Sequence, residues 1–224
     1  DLPLRLGLQV GLDLLLFIIA VMAGRVVPMF TNNAVRGAGA SRHLRVEQAA
    51  QGGVLLLLAA DIAGAPAAMI ANLAALTAIA NAVRLALWRP WRTLRVPILW
   101  ILHVSYAWVV VYLLLRALAE IDLVQAGVAT HALTVGAIGG LTLGMMTRTA
   151  LGHTGRPLRA GLGEVAAYGL IQLGALIRVG AALVPGWHVA GVWLAGIVWT
   201  LAFLAFVVSY LPILIAPRVD GRRG

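Results

Sequence analysis

Seven apolar stretches alternate with short polar segments along the chain. They cover residues 6–27, 49–64, 66–87, 97–119, 126–147, 164–184 and 189–215. A helix needs about 20 apolar residues to cross roughly 30 Å of hydrocarbon. An open sheet edge in lipid would leave backbone groups without partners, so these stretches predict helices. They are too long and too evenly apolar for barrel strands. The second is the weakest, because its strictly apolar part, residues 54–60, is short and ends at Asp61. A re-entrant segment is the alternative there. Gly64-Ala65-Pro66 separates the second stretch from the third. Residues 31–48 read as a polar, basic linker. They form either an ordered loop or a surface helix that turns Val35, Leu44 and Val46 to lipid.

Composition narrows the class. The 224 residues are 62% hydrophobic and 11% charged, against about 45–50% and about 25% in soluble domains. Such a chain cannot clothe itself for water, which excludes a soluble globular or disordered protein. Cysteine is absent, so disulfides and thiolate chemistry are excluded. The prediction is an all-α polytopic transmembrane bundle of about seven spans, a single domain over residues 1–224, with the lipid bilayer as its first partner.

The charge changes the picture from span count to orientation. All 17 basic residues are Arg, and the net charge is +9. One alternate set of gaps holds 13 of them: Arg36, Arg42 and Arg45, then Arg84, Arg89, Arg92 and Arg95, then Arg148, Arg156 and Arg159, then Arg218, Arg222 and Arg223. The opposite set holds Arg5 and Arg116 with Asp1, Asp61, Glu120 and Asp122. Basic residues mark cytoplasmic loops. The N-terminus is therefore expected outside and the C-terminus in the cytoplasm. The arginines address the membrane, and no nucleic acid is expected as a partner. If the full chain starts inside, an outward Asp1 calls for an odd number of earlier spans, and the chain begins at Asp1 without Met. A later part of a longer protein is the expectation. Trp88, Trp91 and Trp187 are expected as interface anchors.

Polar residues inside spans are the candidate chemistry, because each costs free energy in lipid. Asp13 and Arg178 sit roughly 10 Å below the same expected surface, and a buried ion pair between them is predicted. His103 and His131 lie in oppositely running spans, roughly 10–15 Å apart along the normal. They suit separate sites, or one suits none. Imidazole is a common axial haem ligand, and an interhelical hydrogen-bonding role is the alternative. Trp100, His103 and Tyr106 share a helix face that could wall a macrocycle or simply pack. Ala132, Gly136, Gly140 and Gly144 form a small-residue ridge for close helix approach. Met145 and Met146 could give thioether sulfur to copper, or fill core gaps. His153 lies in a Gly- and Pro-marked turn. Arg25 and Arg156 could fork a carboxylate such as a haem propionate. No Walker loop, dinucleotide fingerprint, HExxH pair or nucleophile elbow occurs.

Two stretches together resemble the NnrS family of membrane proteins. One is Gly24-Arg25-Val26-Val27-Pro28-Met29-Phe30-Thr31-Asn32-Asn33. The other is His131-Ala132-Leu133-Thr134-Val135-Gly136-Ala137-Ile138-Gly139-Gly140, continuing to Gly144-Met145-Met146-Thr147-Arg148 and Gly152-His153-Thr154-Gly155-Arg156-Pro157. Family members are larger, with about twelve predicted spans, so this chain looks like their C-terminal part. The resemblance implies a haem- and copper-containing protein of the bacterial cytoplasmic (inner) membrane. It implies a role in the nitric oxide response, nitrosative stress and denitrification. The partners expected are nitric oxide or nitrosylated metal centres. Arg25, His131, His153 and Arg156 are the matched positions; His103 is added from its place inside a span.

The leading reading is a haem protein that protects against nitric oxide. His131 or His103 would be the axial ligand. Arg25, Arg156 or Arg178 would neutralise propionates. Copper would use His153 with Met145 or Met146. The alternatives are a transporter or channel without haem, lined by Asp13, Arg178 and Gln172, and a nitric-oxide oxidoreductase subunit.

Overall fold

Apolar runs of this length leave the backbone little choice but to bond to itself as helix. The computed structural model describes residues 2–221. Asp1, Arg222 and Arg223, which entered the charge count, lie outside the described residues, as does the side chain of Arg5. The helices are α1 (Leu2–Ala34), α2 (Leu44–Ile62), α3 (Ala67–Leu87), α4 (Pro97–Ala119), α5 (Ala126–His131), α6 (Gly140–His153), α7 (Leu162–Leu183) and α8 (His188–Leu214). A 3-10 turn covers Pro90–Arg92, and π-type turns over Ala132–Gly139 join α5 to α6. Among the described residues there is no strand.

Six helical segments are long and apolar enough to cross a membrane: α1, α3, α4, α5 to α6 as one, α7 and α8. α2 is the seventh expected span. It is one continuous helix of 19 residues, about 28 Å long, and not a re-entrant turn. Arg45, Glu47 and Asp61 keep it outside the group of six.

Two boundaries differ from the sequence reading. α1 does not stop at residue 27 but runs through Pro28 to Ala34. Proline removes one helical N–H, yet flanking apolar packing carries the helix past it, with Val27 and Pro28 both buried. The expected 31–48 linker is therefore the end of α1, a short connection and the first turn of α2. Asn32 clamps that connection. Its amide donates to the Ala40 carbonyl at 2.8 Å, and its oxygen accepts from the Ala40 N–H at 2.9 Å. The fifth span likewise continues past 147 to His153. It breaks only at Gly155, whose φ of +71° is left-handed, ahead of Pro157. The Gly64-Ala65-Pro66 break stands as read, with Gly64 at φ +63°.

The chain forms two compact units. The first holds the residues up to Arg92 with Tyr106–Thr130; the second holds Thr93–Ser105 and the residues from His131 onward. In the first, α2 packs against α1 and α3. Its core includes Leu16, Ala20, Val54, Leu57, Ala74 and Ala78. In the second, α7 packs on α8, and α6 on both. The ridge Ala132, Gly136, Gly140 and Gly144 is buried throughout. A Cβ on Gly144 would lie 2.9 Å from Leu102 and 3.0 Å from Ile101, so glycine sets that approach. In an α-helix a four-residue repeat overshoots one turn by about 40°. The wider π turns reduce the drift and keep the ridge on one side. α8 leaves Trp193, Leu204, Val207, Val208 and Leu211 exposed, a surface suited to lipid.

Candidate functional site

In the first unit the polar residues gather into two charged networks. One centres on Arg84, which has no exposed surface. Thr77, Asn81 and Arg84 recur at helical spacing along α3, so they share a face. Arg84 forks Glu47 of α2, with Nε donating to Oε1 at 3.0 Å and Nη2 to Oε2. Its Nη1 donates to the Ala20 carbonyl of α1 at 2.8 Å and to the Tyr106 hydroxyl at 2.9 Å. Tyr106 in turn donates to Asn81 at 2.6 Å. Gly24 of α1 makes room, because a Cβ there would collide with the Arg84 guanidinium. Trp88 covers it, with its ring 5.2 Å from the Arg84 guanidinium carbon and 4.6 Å from the Tyr106 ring. Trp88 is fully buried and is not the interface anchor expected. Trp91 and Trp187 are exposed. The Arg84 and Glu47 charges cancel and both are hydrogen-bonded, as a buried ion pair requires, although the Trp88 indole N–H is buried without a partner.

The second network is unbalanced. Arg116 of α4 binds Asp13 of α1 at 2.8 Å through Nη1 and Asp61 of α2 through Nη2. Gln9 donates to Asp13 Oδ1 at 3.0 Å and to the Tyr112 hydroxyl at 3.1 Å. Asp13 is fully buried, and its Oδ2 has no hydrogen-bond partner. The two residues of the predicted ion pair, Asp13 and Arg178, belong to different units, and each has a partner within its own. Asp13 takes Arg116, one helical turn short of Glu120. Burial pushes the Glu120 carboxyl above its usual range, against the pull of Arg116.

In the second unit Arg178 of α7 donates through Nη2 to Nε2 of His131, where the π turns begin. A guanidinium can only donate, so Nε2 bears the ring's lone pair. Arg178 Nη1 is buried without a partner. His131 is half-buried. π-type insertions often mark functional positions. His103 is 2% exposed, with Nδ1 3.0 Å from the Leu99 carbonyl. Trp100 packs edge-on to Tyr168 at 5.8 Å, whereas Tyr106 packs on Trp88, so the α4 stripe is core packing. Gln172 donates to Ser105 at 3.0 Å, and Gly140 abuts both. Thr147 and Tyr168 share a hydrogen bond of 2.5 Å.

The remaining predicted residues are dispersed. Arg25 is exposed on α1. Arg156 follows α6, with Nη1 buried and unpartnered. It stands 25 residues beyond His131 along one helical segment and its closing turn, roughly 35 Å at 1.5 Å per residue. One macrocycle cannot use both. His153 is the exposed last residue of α6. Met145 and Met146 lie two turns earlier, about 10–12 Å along the axis, so these three are not gathered into one copper site. Among the described residues no three His, Asp or Glu side chains form a metal cage.

Haem can be weighed against the donors present. His131 is half-buried and its Nε2 lone pair already accepts from Arg178, so iron could take that nitrogen only once the guanidinium turned to another acceptor, such as a propionate. On that condition His131 and Arg178 fit. His103 is almost wholly buried, so a macrocycle there would need the packing around it to open.

A family model described as NnrS protein matches residues 1–218 of the chain. No curated protein and no solved structure matches it.

Proposed function

The chain belongs to the NnrS family, and on that premise we propose that it is part of a haem-binding bacterial inner-membrane protein that meets nitric oxide and protects other metal centres from it. Haem iron, when bound, supplies the position at which nitric oxide coordinates. His131 would hold the iron in this reading. Arg178 would release Nε2 and turn its guanidinium to a propionate carboxylate. The small-residue ridge after His131 fixes the helix that presents the imidazole. The observation that carries the reading is the His131–Arg178 contact with its unpartnered Nη1. Copper would need ligands beyond His153, Met145 and Met146, since those three are spread along α6.

The test is the optical spectrum of the purified full-length protein before and after nitric oxide. A haem spectrum that shifts with nitric oxide in wild type, and is absent from His131→Ala, supports the reading. A shift that survives His131→Ala overturns the ligand. A second reading, a transporter without haem, is favoured by the unbalanced network in the first unit. Substrate-dependent flux with no bound metal would establish it.

A further inference from the structure

Two acids and one base meet in the first unit, and their charges do not cancel. Asp13, Asp61 and Arg116 sum to one negative charge when all are ionised. The neighbouring groups do not change this. Gln9 of α1 and Tyr112 of α4 are neutral, and Glu120 and Asp122 beyond α4 are further acids. Among the described residues Arg116 is the one cation bonded to the pair. Asp13 has no exposed surface and the Asp61 side chain is 8% exposed.

Hydrogen bonding points the same way. Oδ1 of Asp13 takes the Arg116 and Gln9 donors, and Oδ2 is left buried without one. A carboxylate oxygen out of water without a donor is costly. Asp13 and Asp61 are held on the two terminal nitrogens of the same guanidinium, which brings their carboxyl groups side by side. Two ionised carboxylates at such a distance repel, and one proton between them turns repulsion into a hydrogen bond. That proton also completes the charge balance.

We propose that Asp13 and Asp61 share one exchangeable proton beside Arg116, which makes this cluster a proton-binding site. α1 and α2 contribute the two acids and α4 the base that holds them together. Asp61 lies two residues from the end of α2 and Glu120 just past the end of α4, so the site opens at helix termini and not at mid-span. The proposal is independent of haem, because no residue of the His131–Arg178 pair takes part.

Infrared spectroscopy of the full-length protein in lipid nanodiscs tests it, with aspartate carrying a carbon-13 carboxyl. Wild type should show one protonated-carboxyl stretch, moved by the label and by deuterium. It should appear at pH values where an exposed aspartate, of pKa about 3.9, is ionised. Asp13→Asn and Asp61→Asn should each remove it, and Glu120→Gln should leave it. Absence of a label-sensitive band in folded wild type overturns the proposal without recourse to any variant. A band that persists in the double variant overturns it as well.

Discussion

Replacing Arg84 by Met probes the buried network most severely. Arg84 has no exposed side-chain surface, and its partner Glu47 keeps 9%. The change removes the fork on Glu47 and the donors to Ala20 and Tyr106. Tyr106 keeps Asn81. Glu47 keeps the Gln51 amide, donating to Oε2 at 3.5 Å, and the half-exposed Arg42 at 3.8 Å, neither of which replaces a buried guanidinium fork. An uncompensated buried carboxylate makes such a break cost about 3–5 kcal/mol. Glu47→Gln should cost a similar amount, because it strands the guanidinium. The double change to Met and Gln removes both charges and should recover much of the loss. Reversible denaturant unfolding in mixed micelles, run as a double-mutant cycle, measures the coupling. A single Arg84→Met variant within about 1 kcal/mol of wild type would refute the reasoning. So would coupling below about 0.5 kcal/mol, the limit of additivity for independent sites.

The second unit and the C-terminal segment give further expectations. Gly144→Leu should destabilise by about 1–3 kcal/mol through overpacking against Ile101 and Leu102, whereas Gly127→Ala, where nothing lies within 4 Å of a Cβ, should not; the same unfolding assay compares them. Arg218 holds the segment after α8 by donating to the His153 carbonyl at 2.9 Å and by pairing with Asp220. Arg218→Ala should speed limited proteolysis after Leu214 and move the unfolding free energy by less than about 1 kcal/mol, since exposed pairs contribute little.

The helices were legible in the sequence because lipid and backbone together permit one local structure. The breaks at Gly64 and Gly155 were legible because left-handed backbone favours glycine. The end of α1 was not: the proline rule places a stop near Pro28, and packing overrides it. Arg84 counted as one of many loop arginines, yet its spacing with Thr77 and Asn81 is a polar stripe inside an alanine-rich helix. That stripe was the available signal for burial. The charge pattern grouped Asp61, Arg116 and Glu120 on one side, and the structure joins Asp61 to Arg116. It could not select Arg116 over Arg178 as the partner of Asp13. Such a choice depends on helix rotation and on which helices are neighbours, and periodicity fixes neither. The π turns after His131 leave no mark in composition beyond small residues.

Haem content per chain in the intact purified protein tests the central claim most directly, measured beside His131→Ala and His103→Ala. The account predicts haem in wild type, its loss from His131→Ala and its retention in His103→Ala. Wild-type protein that is folded and free of haem, or haem retained without His131, would contradict it.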